Sequence, residues 1–378
     1  LFIWDDAYKS KGYDKLEGLA EDQPGSQPFL GVGYKEHPRN PRTGFFQWDL
    51  PGLLTAVNMD GTINDSSDRD RGWTVELALP WSGMEVLARG DADMISMARP
   101  FLADSDFVNK AAANRADEIN TCIGCNQACL DHIFLGKISS CLVNPRACHE
   151  TEIQYLPVQH KKKIAVIGSG PAGLSFSIVA AGRGHEVTLF EQNDTIGGQL
   201  NLANQIPGKE EFNETLRYYK KQLDLCDVRV HLNLKATTAQ LLKGRFDEIV
   251  LATGVTPRVP NIDGIDHPTV LSYVDILSHR KEAGHRVAIV GAGGIGFDVA
   301  QFITHPDGSS SLNIDAFLEE WGVDRSYRMP GGLLQKRRQL LASGRLVYML
   351  QRKPGKIGES LGKTTGWIHR ITLKQRNV

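Results

Sequence analysis

Apolar and polar positions change rhythm twice along this chain, and each change predicts a different architecture. Over residues 1–88, short apolar runs are broken by clusters rich in Gly, Pro and Asp. The run at 72–81 alternates only in part, at Thr74, Glu76 and Leu77, which predicts a half-buried strand. Turn clusters such as Asn64-Asp65-Ser66-Ser67-Asp68 separate such runs, so residues 1–86 read as a β-sandwich-like fragment. From about residue 89 the texture shifts: 91–100 reads as a buried-type strand leading into a loop, and 107–116 as a helix. Beyond Lys161-Lys162-Lys163 the pattern becomes strand, glycine turn, helix, strand, and it restarts at Arg286. That repetition predicts an α/β chain with two Rossmann-like dinucleotide-binding folds in series.

Bulk composition adds exclusions. The chain has 378 residues, with 43 Lys+Arg against 44 Asp+Glu and a formal charge of -1. Such a balance gives no electrostatic reason to expect nucleic acid or an anionic membrane as partner. No apolar run approaches the roughly 18 residues of a membrane span. The opening Leu1-Phe2-Ile3-Trp4 is too short for a signal peptide, and the missing initiator Met leads us to expect that the reading frame starts upstream. Six cysteines, four of them clustered, read as metal ligands in a reducing cytoplasm rather than as a disulfide framework.

The cluster is Cys122, Cys125, Cys129 and Cys141, with two, three and eleven residues between successive cysteines. Three soft ligands from one compact loop and a fourth returning later suit a 4Fe–4S cluster. Structural zinc prefers two Cys-x-x-Cys knuckles, and only one is present. Cys148 breaks the spacing and reads as a spectator, Cys226 as a small buried residue, and His132 and His149 as surface or supporting groups.

Two glycine loops carry the remaining chemistry. In the first, Ile164 to Ile167 run as a strand into Gly168, Gly170, Pro171, Ala172 and Gly173. The middle glycine lets backbone approach a pyrophosphate, the last lets helix pack on strand, and the helix N-terminus faces the negative charge. A second strand, 186–190, ends at Glu191 and Gln192, the acid being placed for ribose hydroxyls; Gly198 and Gln199 line the same cofactor. The strand and turn at 249–254, ending at Gly254, close the domain. The second loop is Gly291, Gly293, Gly294, Ile295 and Gly296 after the strand 287–290. An insertion over 305–344 delays its partner strand to 346–350, after which Arg352 and Lys353 stand where an acid favours NAD. A basic pair there suits a 2′-phosphate, hence NADPH.

Together with Ser-Cys-Leu-Val-Asn-Pro-Arg-Ala-Cys at 140–148, Gly-Lys-Thr-Thr-Gly-Trp-Ile-His-Arg at 362–370 and the insertion segment 311–322, these motifs resemble the bacterial 2,4-dienoyl-CoA reductase family over residues 87–378. Those enzymes are iron–sulfur flavoproteins related to old yellow enzyme and to trimethylamine dehydrogenase. The resemblance implies FAD on the first loop, NADPH on the second, and electron delivery through a 4Fe–4S cluster to FMN, with 2,4-dienoyl-CoA as substrate. It also implies that 87–121 is the end of an FMN-binding (β/α)8 barrel, with Arg99 near the FMN phosphate. Residues 122–160 would then be the iron–sulfur segment, 161–255 the FAD domain and 256–378 the NADPH domain. The rest of the barrel and its catalytic tyrosine and histidine have no counterpart here, and the chain stops before the stretch that in this family closes around FAD. Residues 1–86 are similar to a ninth-family-type carbohydrate-binding module, which leads us to expect a join at about 84–87 in a fused or misassembled reading frame. A sugar-binding protein carrying a flavoprotein remnant, or a trimethylamine-dehydrogenase-type flavoprotein, is the alternative.

Overall fold

The computed structural model describes residues 97–305, 309–326, 328–334 and 343–378, together with four strands within the first 96 residues. Those strands are β1 (Ser26–Phe29), β2 (Arg42–Phe45), β3 (Leu54–Met59) and β4 (Trp73–Ala78). They form two antiparallel pairs, β1 with β2 and β3 with β4. The strand expected at 72–81 is therefore present as β4. The chain divides into two compact units, Leu1–Ile95 and Ser96–Val378.

The second unit begins with a difference from expectation. Residues 91–96 lie outside the described residues, but Arg99 and Pro100 open a helix, α1 (Arg99–Ala103), rather than a loop after a strand. Proline in the first turn lacks only an N–H that would have no intrahelical partner there, and its fixed φ suits a helix start. The next helix, α2 (Phe107–Ala112), stops short of the expected Ala116. Asn114 takes φ 60°, its N–H reaches the Ala111 carbonyl, and the Arg115 N–H reaches back to Lys110. This is a Schellman termination, with Asn supplying the left-handed residue. A 3₁₀ turn over Ala116–Glu118 precedes the cysteine segment, and a short helix α3 (Leu130–Phe134) lies within it between Cys129 and Cys141.

The first glycine loop belongs to a parallel sheet in the order β7-β6-β5-β8. It consists of β5 (Lys163–Ile167), β6 (Glu186–Phe190), β7 (Arg229–His231) and β8 (Glu248–Leu251). The apolar centres of β5 and β6 are buried, as a strand covered on both faces must be. Between them runs α4 (Pro171–Gly182); then come α5 (Leu200–Ala203), α6 (Phe212–Leu225) and α7 (Thr238–Gly244). Ile164, Val166, Leu174, Val187, Leu189, Tyr219 and Leu223 make one core between sheet and helices.

The second loop joins β9 (Arg286–Val290) to α9 (Gly294–Ile303), preceded by α8 (Tyr273–Leu277). The insertion carries α10 (Ile314–Trp321), and β10 (Leu346–Leu350) then pairs with β9 in parallel, Leu350 opposite Val290. Here β9 departs from the buried strand its apolar run implies: its residues alternate, and Val290 is 71% exposed. Among the described residues its sheet has two strands, and Arg286, Ala288 and Val290 on one face of β9 are exposed. What the structure contains is a strand–helix–strand unit with an insertion. α11 (Gly366–Gln375) packs on α9 through Leu373 against Phe297 and Ala300. The result is an α/β unit with a parallel, Rossmann-type sheet, and no described helix is long and apolar enough to cross a membrane.

Candidate functional site

The first loop is shaped by two close backbone approaches. Gly168 has φ +101°, and a Cβ there would lie 2.4 Å from the Ala252 carbonyl oxygen. At Gly173 a Cβ would lie 1.9 Å from the Gly168 oxygen, so any side chain would drive α4 off the turn. Gly170 differs: it has φ −69°, an ordinary value, and a Cβ there would meet nothing within 4 Å. The space that Gly170 leaves open is therefore not filled by protein. No side chain caps α4, Pro171 has no N–H to give, and the first-turn amides of Ala172 and Gly173 have no partner within the helix. Gly198 closes the far side, where a Cβ would stand 3.1 Å from the Gly170 Cα.

Glu191 lies directly beyond β6 and is 5% exposed. One carboxylate oxygen accepts from the Ser169 N–H (2.9 Å) and hydroxyl (2.7 Å), the other from the Asn193 N–H (2.9 Å) and amide (2.7 Å). Burial pushes this carboxyl up, but the hydrogen bonds from Asn193 and Ser169 outweigh it and hold the pKa below the usual carboxylate value. The acid is thus charged and fixed at the crevice. Gln199 bridges elements, donating to the Val255 carbonyl at 3.0 Å and accepting from the Tyr273 hydroxyl at 3.0 Å. Gln192 is exposed, and Gly254 takes φ +73° just past β8. This cradle of open backbone and uncapped helix N-terminus fits the pyrophosphate of FAD, while the Glu191 carboxylate, accepting two donors on each oxygen, fixes Ser169 and Asn193 at its edge.

The second loop repeats the geometry. Gly291 has φ +121°, its N–H donates to the Leu350 carbonyl at 2.8 Å, and a Cβ on Gly296 would lie 2.0 Å from the Gly291 oxygen. Gly293 caps α9 without a side-chain bond; a Cβ on it or on Gly294 would meet nothing within 4 Å, and Ile295 is exposed. Because β10 is parallel to β9 in this register, exposed Arg352 and Lys353 leave the sheet at the same end as the glycine turn. That carboxyl-end crevice fits a second dinucleotide.

Cys122, Cys125, Cys129 and Cys141 line one cavity together with Arg99, Asn126 and Leu142. Burial pushes the Cys125 and Cys141 thiols up, and the neighbouring cysteines add to the rise. Among the described residues no three or more His, Cys, Asp or Glu side chains close on a single metal ion. The donor chemistry of four thiols lining one cavity is the kind an iron–sulfur group takes. Arg99 sits here too, its guanidinium donating to the Asn126 side chain at 2.7 Å. Cys148 is exposed and Cys226 is half-buried, both outside the cavity; the His132 ring pairs with the Ile138 carbonyl and that of His149 with Glu152.

Several residues at this site carry no local sequence signal. Asn120 gives its N–H to Asp104 (2.8 Å) and its amide to the Val143 carbonyl (2.7 Å), tying the chain before Cys122 to the chain after Cys141. Arg217 holds the same segment from α6, and Asp131 within it is held by Thr364. Their partners lie about a hundred and 233 residues away in sequence, which no motif spacing encodes.

Comparison with known proteins follows this geometry. Residues 162–313 match the family model described as pyridine nucleotide-disulphide oxidoreductase. A metal reductase of Desulforamulus reducens is 36% identical over 78% of this chain and 43% of its own length. A bilirubin reductase of Mediterraneibacter gnavus is 34% identical over 60% of this chain and 35% of its own. Among solved structures, a 2-naphthoyl-CoA reductase in complex with 2-naphthoyl-CoA superposes with TM-score 0.65 at 30% identity, covering 78% of this chain and 39% of that one. The chain thus spans less than half the length of these relatives. Residues 162–313 thus match a pyridine-nucleotide-binding Rossmann-type domain, and the chain is similar to flavin-dependent alkene reductases and amine dehydrogenases.

Proposed function

We propose that this chain is the electron-delivery part of an NADPH-dependent reductase of the 2,4-dienoyl-CoA type, receiving hydride at one nucleotide site and passing electrons singly toward an FMN held elsewhere. The observation that carries this reading is the convergence of Cys122, Cys125, Cys129 and Cys141 on one cavity, in the same unit as two glycine cradles. When bound, FAD takes up two electrons as hydride and can release them one at a time, which suits a one-electron carrier such as a 4Fe–4S cluster. The chain's residues bind and orient. Free amides of α4 hold the flavin nucleotide at an edge fixed by the Glu191 carboxylate, α9 and the Arg352–Lys353 pair hold the 2′-phosphorylated nucleotide, and the four thiols hold the cluster. The likeness to a reductase complexed with an acyl-CoA favours an acyl-CoA as final acceptor.

The test is the visible spectrum of anaerobically purified protein, before and after NADPH. Flavin bands and a broad cluster absorption that bleach together support the proposal. A flavin that bleaches with no cluster absorption restricts the chain to nucleotide–flavin chemistry and overturns the electron-delivery part.

A further inference from the structure

The cysteine segment is gripped ahead of Cys122 and again between Cys129 and Cys141, and each grip comes from a different nucleotide-binding element. Ahead of Cys122, Arg217 on α6 donates to the main-chain carbonyls of Asp117 (2.5 Å) and Ile119 (2.7 Å) and reaches the Thr121 hydroxyl at 3.3 Å. Its own orientation is fixed by Glu214 one turn earlier, at 2.7 Å. One turn later on the same face, Lys221 pairs with the Asp117 carboxylate at 2.7 Å. α6 is the helix whose other face, through Tyr219 and Leu223, belongs to the core under the flavin-type loop.

The second grip lies just past Cys129. Asp131 in α3 is 9% exposed and accepts from the Thr364 N–H (3.1 Å) and hydroxyl (2.9 Å). Gly362 permits this approach, since a Cβ there would stand 2.6 Å from the second Asp131 oxygen. Lys363 adds a weaker bond to the Phe134 carbonyl at 3.4 Å. Residues 362–364 lie between the basic pair after β10 and the start of α11, so this grip comes from the second nucleotide unit.

We infer that Arg217 and Asp131 are positioning residues that fix the cysteine loop against the two nucleotide units, holding the four thiols in ligating geometry. This rests on the cluster reading above. The physical case is directness. A guanidinium forked onto two carbonyls and a buried carboxylate taking two donors are charge-assisted bonds, the strongest class a loop can be held by. Neither residue lines the cavity; apart from the Arg99–Asn126 bond, the Ser140–Ala128 bond and the Lys363–Phe134 bond, the Cys122–Cys141 span holds short-range turns.

The experiment compares the anaerobically reconstituted parent with Arg217→Met, Arg217→Lys and Asp131→Asn. Iron release to a chelator is read together with bound flavin and with peptide-resolved amide exchange over 117–135. Arg217→Met and Asp131→Asn are expected to release iron about tenfold faster, roughly 1.4 kcal/mol of lost restraint. Flavin content should equal the parent's, and exchange should rise at 117–122 in the first variant and at 130–135 in the second. Arg217→Lys, with one point charge in place of a fork, should fall between. Unchanged iron release and exchange in both variants overturn the inference, as does a uniform rise in exchange through β5 and β6, which marks general destabilisation. If the parent itself binds no iron, the cluster reading fails; the exchange pattern then still decides whether Arg217 and Asp131 restrain the loop.

Discussion

Gly170→Ala separates a cofactor cradle from a mere tight turn, because its two effects should carry opposite signs. The backbone at Gly170 has φ −69° and ψ 177°, which alanine adopts freely, and a Cβ meets no protein atom within 4 Å. Replacing glycine where its freedom is unused reduces unfolded-chain entropy, so apo-protein stability should hold or rise by about 0.4–1 kcal/mol. The same methyl group points into the space assigned to the pyrophosphate. Crowding a close-fitted contact costs about 1–3 kcal/mol, or roughly 5- to 150-fold in Kd. Gly173→Ala is the contrasting control: its Cβ would fall 1.9 Å from the Gly168 oxygen, so apo stability itself should drop by about 3 kcal/mol. Urea unfolding of the apo forms gives the stabilities, and fluorescence titration with FAD gives the affinities. A Gly170→Ala protein that binds FAD like the parent would refute the placement of the pyrophosphate; one that loses apo stability like Gly173→Ala would refute the local geometry.

Three further outcomes follow from the same structure. Arg352→Glu/Lys353→Glu should weaken NADPH by at least tenfold while changing NADH little, measured as KM ratios with an artificial acceptor; equal losses for both nucleotides would remove the 2′-phosphate assignment. Glu191 has its folded pKa depressed, so its contribution to stability is present above the ordinary Glu value and is lost as pH falls through the lowered folded value. A Glu191→Gln variant should therefore show a flatter fall in urea stability than the parent on acidification, and parallel profiles would argue against the charged, hydrogen-bonded carboxylate. Thr237→Ala removes the capping box of α7, in which Thr237 and Gln240 satisfy each other's backbone amides, and should cost about 1 kcal/mol in apo stability without altering nucleotide binding.

How far the sequence carried depends on how local each signal is. β5, α4 and β6 are legible because their signals, four apolar residues, a glycine turn and a terminal acid, all fall within 28 positions, although the β5–β8 pairing that completes the sheet spans 84. Arg99 and Pro100 read as the end of a strand because an apolar run leads to them, whereas proline's fit at a helix start governs the structure. The β9 run has the apolar character of β5, yet alternate residues are exposed, because burial depends on what covers the sheet and not on the strand itself. Gln199 illustrates a third limit: the Gly-Gly-Gln sequence points to a cofactor, while the Tyr273 hydroxyl and Val255 carbonyl that engage the side chain lie 74 and 56 residues away. Arg217 and Asp131 were illegible for the same reason.

The central claim, that four cysteines in this chain hold an iron–sulfur group, is tested most directly by metal and sulfide analysis of the anaerobically reconstituted protein and of its Cys141→Ser variant. The account predicts about four irons and four sulfides per parent chain, most of them lost when Cys141 is replaced. One zinc per chain, or iron that survives loss of Cys141 undiminished, would contradict it.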